Sequence, residues 1–192
     1  MKTAVYCVSK NALKLAWKIK ADKRYKADVY ISNRIAEYLD NQDCTVMEDS
    51  LKDTVSRIFN SYALHIFITA SGIAVRVIDG LLKSKDKDPA VLTADEQGNF
   101  VISLLSGHLG GANEECRYLA DILGSIPVIT TASDTGGKIA VDTLSQKLGA
   151  GLADLSSAKK VTALIVNGEK VKLVLPENII LENNNVSGAV IV

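Results

Sequence analysis

Residues 63–70, Ala-Leu-His-Ile-Phe-Ile-Thr-Ala, form a short apolar run with almost no polar relief. A run of that length and composition predicts a strand covered on both faces. Such strands belong to sheets sandwiched between helices, so one octapeptide already points to a layered α/β protein. The rest of the chain fits that demand. Residues 3–8 predict a buried first strand, 29–31 a short one, and 126–131 another. Residues 89–93 and Phe100–Leu105 predict two strands around a turn at 94–99, a sequence typical of a hairpin or tight bend. Helices are expected over 12–20 (capped by Ser9 or Asn11), 51–60 and Ala112–Leu123, the last closed by Gly124. Residues 18–26 read as a basic, solvated connector.

Strands alternating with helix-length segments predict an open, mostly parallel sheet with helices on both faces, a three-layer α/β/α arrangement. This first domain is expected over residues 1–134. A smaller α/β module is expected over 135–192, with a helix at 140–148, a loop at 149–157 and a helix running into strand at 158–164. After a turn at Gly168 it closes with β-rich runs at 171–175 and 186–192.

Charge narrows the partners. The 192 residues carry 22 basic and 22 acidic side chains. No basic field exists to draw nucleic acid. Nothing approaches the ~18 consecutive apolar residues of a membrane span, and the opening apolar run is too short for a signal core. Cys7, Cys44 and Cys116 form no CxxC pair, which fits reduced thiols in a cytoplasmic protein. No spacing of His and Cys suggests a metal site.

The candidate chemistry gathers where strands turn into helices. Open parallel sheets bind ligands beyond the carboxyl ends of their strands. Three turns are expected to share that edge: Thr69, Ser71 and Gly72; Ser106, Gly107, Gly110, Gly111 and Asn113; and Thr130, Thr131 and Asp134. Each offers glycines, hydroxyls and N–H groups near a helix start, which suits an anionic ligand. Arg76 is placed to clamp a carboxylate in bidentate fashion, or else to pair with Asp79 on the surface.

The two histidines separate. His65 sits inside the apolar strand and reads as a hydrogen-bonded structural residue. His108 stands in a glycine-flanked loop, and an imidazole titrating near neutrality suits general acid–base work. Ser106 precedes it, but Ser-Gly-His is not a Gly-x-Ser-x-Gly nucleophile elbow, so ligand bonding or helix capping is expected of its hydroxyl. Asp95 and Glu96 read as a solvated turn, and Asp88-Pro89 as a strand-entry turn whose carboxylate could also orient a ligand. The glycines lack both the Gly-Lys-Ser/Thr ending and the G-x-G-x-x-G spacing of phosphate-binding loops, which argues against a nucleotide-binding protein.

The run from Asp88-Pro-Ala-Val-Leu through Asp95-Glu to Phe-Val-Ile-Ser-Leu-Leu-Ser-Gly-His-Leu-Gly-Gly-Ala-Asn-Glu114 closely resembles the CbiG family. So does Pro127-Val-Ile-Thr-Thr-Ala-Ser-Asp134. Upstream, Phe67-Ile-Thr-Ala-Ser-Gly-Ile-Ala-Val-Arg76 is similar to the family's Ala-Thr-Gly-Ile-Val-Val-Arg segment, with Ser71 at the usual Thr. Ala140-Val-Asp142 and residues 161–169 resemble its central module. The resemblance implies a cobalt-precorrin-5A hydrolase of anaerobic cobalamin biosynthesis, a hydrolase acting on a lactone and a carbon–carbon bond. It would open the δ-lactone of cobalt-precorrin-5A and release acetaldehyde, giving cobalt-precorrin-5B. It implies His108 as the catalytic base, with the three turns and Arg76 holding the substrate's carboxylate arms, and N–H groups near Gly110-Gly111 or Gly72 as oxyanion donors. No cofactor is expected, because the cobalt is carried by the substrate. The implied partners are that substrate, a C-terminal domain acting in trans and a further copy of the chain, with no nucleic acid and no membrane. A corrinoid-binding module without catalysis of its own is the alternative.

Overall fold

The computed structural model describes residues 1–39, 43–84, 87–137, 140–147, 150, 152–172 and 174. The chain divides into two compact units, Met1–Ile129 and Thr130–Val192. In chain order the first contains β1 (Lys2–Cys7), α1 (Lys10–Ala21), β2 (Lys26–Ser32), β3 (Thr45–Met47), α2 (Leu51–Ile58), β4 (Leu64–Ile68), α3 (Ser71–Ile78), β5 (Ala90–Ala94), β6 (Phe100–Leu105), α4 (Ala112–Leu123) and β7 (Ile126–Val128). The strands make one sheet in the order β3-β2-β1-β4-β5-β6-β7.

All five residues of β4 are buried, and so are all five of β5. Alternation along the strands assigns the faces. On one, Val5, Val29, Ile31, Leu64, Ile66 and Leu92 pack against α1 and α4. On the other, Ala4, Tyr6, Phe67 and Val91 pack against Val55 and Phe59, and against Ala74, Val77 and Ile78 of α3. Each Val, Leu, Ile or Phe side chain so withdrawn from water contributes about 1.5–3 kcal/mol. The expected three layers are present.

One handedness rule accounts for the placement of α1 to α4. Crossovers between parallel strands are right-handed. The step β1 to β2 goes one way along the sheet, and β3 to β4 and β4 to β5 go the other, so α1 lies on one face and α2 and α3 on the opposite one. The pair β5–β6 is antiparallel, and β7 runs parallel to β6. Reversed strands need the opposite face for the same hand, and α4 lies beside α1 as required.

That reversal overturns one expectation. β3, β2, β1, β4 and β5 all run one way, while β6 and β7 run the other. The carboxyl ends of β4 and β6 therefore lie at opposite edges of the sheet, and the turns that follow them do not share an edge.

Smaller differences have local causes. α1 continues to Ala21, so Lys18 and Lys20 lie in its last turn, where positive charge complements the helix dipole. Ser9 caps the helix by position, without a side-chain bond. β3 is three residues long at the sheet's margin, too short to leave a periodic signal. β7 stops at Val128, three residues before its expected end. Pro127 is tolerated there because β7 is an edge strand.

In the second unit, α5 (Ala132–Thr135), α6 (Val141–Lys147) and α7 (Leu155–Val166) are the regular elements among the described residues. The stretch expected to pass from helix into strand is helical throughout, capped by Asp154, whose carboxylate accepts from the Ser156 and Ser157 N–H groups. Val171, Lys172 and Val174 lie outside regular structure. The run 186–192 lies outside the described residues. No helix among those described is long and apolar enough to cross a membrane.

Candidate functional site

The loop between β6 and α4 closes on itself. Ser106 turns the chain with φ 58°, a left-handed conformation that costs a non-glycine residue roughly 1–2 kcal/mol. Its hydroxyl donates to the Asp88 carbonyl at 3.0 Å, which fastens the turn to the entry of β5. Three successive loop carbonyls then point at the start of α4. Gly111 N–H donates to His108 O (2.9 Å), Ala112 N–H to Ser106 O (3.1 Å) and Asn113 N–H to Gly107 O (2.9 Å). The first donors of a helix are ordinarily open to an anion. Here they are taken by the loop itself, so the expected role of the Gly111 N–H as an oxyanion donor is replaced by self-capping.

The glycines follow from this closure. A Cβ on Gly107 would stand 2.7 Å from Asn113 Oδ1, and one on Gly110 would stand 2.8 Å from the Ser106 carbonyl oxygen. Gly111 has open space around it but φ 79°, which glycine adopts without penalty. Asn113 is 4% exposed and accepts from Ser103 Oγ at 2.7 Å, so it lies beneath the loop rather than at its surface. His108 and Leu109 form the turn of the loop and are half-buried.

The turn after β4 is built differently. Ile73 N–H and Ala74 N–H both return to the Ala70 carbonyl, the latter at 3.4 Å. Thr69 is 3% exposed, whereas Ser71 is half-buried and Gly72 exposed. Arg76 is exposed and folds back along its own helix, donating to Gly72 O at 3.2 Å. Its partner is that carbonyl, and Asp79 is not among the ion pairs of the described residues.

These two turns are apart. Row Leu64/Ala90 and row Ile68/Ala94 bound the paired part of β4 and β5. Four residue steps, roughly 13 Å at about 3.3 Å each, separate the rows. Thr69 follows the far row; Ser106 is tied to Asp88, just outside the near one. The structure thus places Thr69, Ser71, Gly72 and Arg76 together at one edge, and Ser106, Gly107, His108, Gly110, Gly111 and Asn113 together at the other. Thr130, Thr131 and Asp134 belong to the second unit. There Thr131 precedes the short α5 and donates through Oγ1 to Asp134 Oδ2 at 2.7 Å.

Asp95 serves its turn, its carboxylate accepting from Gln97 N–H, Asn99 Nδ2 and Phe100 N–H. Asp88 also accepts from Lys83 N–H through Oδ1. His65 is fully buried and bonded on both ring nitrogens. Nε2 lies 2.9 Å from the Phe59 carbonyl, which can only accept, so that nitrogen carries the proton; Nδ1 accepts from the Tyr6 hydroxyl at 2.9 Å. Burial lowers its pKa to about 4. It is a structural histidine, as expected.

One charged cluster at the edge of the 106–113 loop has no counterpart in the sequence expectations. Arg24, in the α1–β2 connection, donates to Glu115 (2.6 Å) and Glu114 (3.0 Å) in the first turn of α4, and its guanidinium lies 4.3 Å from the Tyr118 ring centroid. Tyr118 donates on to Asp22. Glu115 is 3% exposed. A signal was available: Glu115 falls on the inward stripe with Cys116 and Leu119, and a carboxylate there demands a partner. Among the described residues, no group of three or more His, Cys, Asp and Glu is arranged to hold a metal ion.

Comparison with known proteins bears on all of this. Residues 53–134 match the family model CbiG_N, cobalamin synthesis G N-terminal, and residues 139–189 match CbiG_mid, cobalamin biosynthesis central region. The chain is 41% identical over 171 residues to a cobalt-precorrin-5A hydrolase of Salmonella typhimurium, covering 88% of this chain and 47% of the relative. It is 35% identical over 172 residues to a cobalt-precorrin-5A hydrolase of Priestia megaterium, covering 89% and 46%. The chain therefore spans about half the length of these curated relatives. A crystal structure of a cobalamin biosynthesis protein G homolog from Sulfolobus solfataricus superposes with a TM-score of 0.54 at 24% identity, covering 96% of this chain and 52% of that one, a likeness of fold.

Proposed function

The chain belongs to the CbiG family, of which it carries the N-terminal and central regions, and from that premise we propose that it acts on cobalt-precorrin-5A as a hydrolase. Water adds across the acyl C–O bond of the δ-lactone. Its oxygen enters the new carboxylate, and the ring oxygen leaves as the hydroxyl of a two-carbon substituent. Removal of that hydroxyl proton, with scission of the adjoining C–C bond, gives acetaldehyde. The bond's electron pair stays on the macrocycle, which takes up a proton to yield cobalt-precorrin-5B.

The observation that carries this reading is the closed loop of residues 106–113, which presents His108 on a fixed frame next to a strand end. An imidazole on such a frame suits both proton removals, each of the kind that general base catalysis speeds by about 10²–10⁴. Gly110 N–H is the remaining candidate oxyanion donor on this loop, since Gly111 N–H is committed to His108 O. Ser106, Gly107 and Gly110 are the loop's contacts to the substrate; Thr130, Thr131 and Asp134 are a separate set of candidate contacts within the second unit. Thr69, Ser71, Gly72 and Arg76 would meet a carboxylate arm only at the opposite edge of the sheet. Cobalt enters with the substrate, in a cytoplasmic setting.

The alternative is a corrinoid-binding module whose chemistry comes from a further domain; the chain spans about half the length of its curated relatives. One assay separates them. Purified chain is incubated with cobalt-precorrin-5A and acetaldehyde is measured, with and without the C-terminal half of a relative added. Release by the chain alone establishes the hydrolase. Tight binding with release only after addition establishes the module, and neither binding nor release sinks both readings.

A further inference from the structure

We infer that Asn113 is a positioning residue, which holds Gly107 from beneath and thereby fixes His108, rather than a contact to the substrate. The inference rests on the reading of His108 as the base.

Asn113 is joined to the loop twice. Its backbone N–H donates to Gly107 O at 2.9 Å. Its side chain fills the space against Gly107, with Oδ1, Nδ2 and Cγ standing 2.7, 3.0 and 3.1 Å from where a Gly107 Cβ would be. The side chain cannot readily swing aside, because Oδ1 accepts from Ser103 Oγ at 2.7 Å and the residue is 4% exposed. Ser103 lies in β6 and Asn113 in α4, so this bond ties the two elements that flank the loop. Gly107 is the residue immediately before His108. Its position is thus set from below by Asn113, while Ser106, one step earlier, is set from the side by Asp88. The backbone entering His108 has two independent anchors.

Packing of this kind leaves a specific mark: a substitution at Gly107 is costly because Asn113 is there, so the two sites couple. Contacting residues show such coupling, whereas distant ones add. The experiment is a double-mutant cycle on the 192-residue chain with Gly107→Ala, Asn113→Ala and both together. Amide hydrogen exchange is read at Gly111, Ala112 and Asn113, the donors to the three loop carbonyls. Asn113→Ser is included as the milder variant, and exchange in β1 and β4 reports whether the sheet is intact. Gly107→Ala alone should speed exchange at these amides by about tenfold or more, and by less than about threefold when introduced into Asn113→Ala. Asn113→Ala alone should lower kcat for acetaldehyde release by about tenfold with KM within about twofold, with Asn113→Ser intermediate. An equal effect of Gly107→Ala in both backgrounds overturns the inference. So does a rise in KM with kcat unchanged in Asn113→Ala, the mark of a substrate contact. Absence of turnover in the unmutated chain would defeat the proposed function, while the exchange cycle would still decide the role of Asn113.

Discussion

The turns at residues 69–76 and 106–113 have similar compositions, with small residues, hydroxyls and glycines between a strand and a helix, yet they are built on opposite plans. In the first, Gly72 is exposed and has only the tip of Arg76 nearby. In the second, two glycines are in contact with their own loop, a serine accepts a left-handed φ, and three carbonyls cap the next helix. One turn is an ordinary helix start. The other is a closed frame whose residue types are fixed by its internal contacts. Composition at a strand end therefore says little about function; what distinguishes the two is how much of the turn's hydrogen bonding is spent internally.

The largest expected difference is in turnover. In the chain, or joined with a relative's C-terminal half if release requires it, His108→Ala should reduce acetaldehyde release by about 10²–10⁴, the usual value of a general base. Arg76→Ala, at the other edge, should leave kcat within about twofold. Steady-state kinetics with both variants checks the pair. A large loss in Arg76→Ala would mean that the substrate reaches both edges, and near-normal turnover in His108→Ala would remove the loop from the chemistry.

How much of this was legible in the sequence can be argued from the same residues. The helix Ala112–Leu123 with its Gly124 stop and the strand Phe100–Leu105 follow from apolar pattern and caps and stand where expected, and the strand expected at 63–70 is present as Leu64–Ile68. The turn at 94–99 already implied a hairpin or tight bend, and the structure makes it a hairpin. A hairpin reverses direction, and following that reversal along β6 places residues 106–113 on the far edge; the expectation of one shared edge neglected it. The role of Asn113 was less accessible. It depends on Ser103, ten residues away on another element, and on a close approach to Gly107 that no periodicity records. Arg24 and Glu115 are 91 residues apart, and only the misplaced charge on the apolar stripe of α4 hinted at a partner.

A pH experiment tests the buried sheet between the two turns through His65. His65 lies at the start of β4, four residues before Thr69, neutral and bonded on both nitrogens, with burial lowering its pKa from 6.5 to about 4. Its unfolded form takes a proton below about pH 6.5 while the folded form resists until about 4. Stability is therefore full above 6.5 and falls as pH drops through that window, by at most about 3 kcal/mol. Urea denaturation at pH 7 and pH 5 should show this decline in the unmutated chain and a flatter profile in His65→Gln. An unchanged slope in that variant would assign the decline to other groups.

The smallest effects give the most direct comparison of the two turns. Gly110→Ala introduces a methyl 2.8 Å from the Ser106 carbonyl, which is backbone and is itself held by Ala112 N–H. Something must shift, and overpacking of this kind costs about 1–3 kcal/mol. Gly72→Ala places its methyl 3.5 Å from the Arg76 guanidinium, an ordinary contact with the end of a flexible side chain, within a helix where alanine is preferred to glycine. It should be neutral or stabilising by up to about 1 kcal/mol. Urea midpoints of the two variants, measured side by side at pH 7, should thus move in opposite directions or differ by at least about 1 kcal/mol. Equal losses would mean that the open turn is as constrained as the closed one, and the distinction between an ordinary helix start and a built frame would fail.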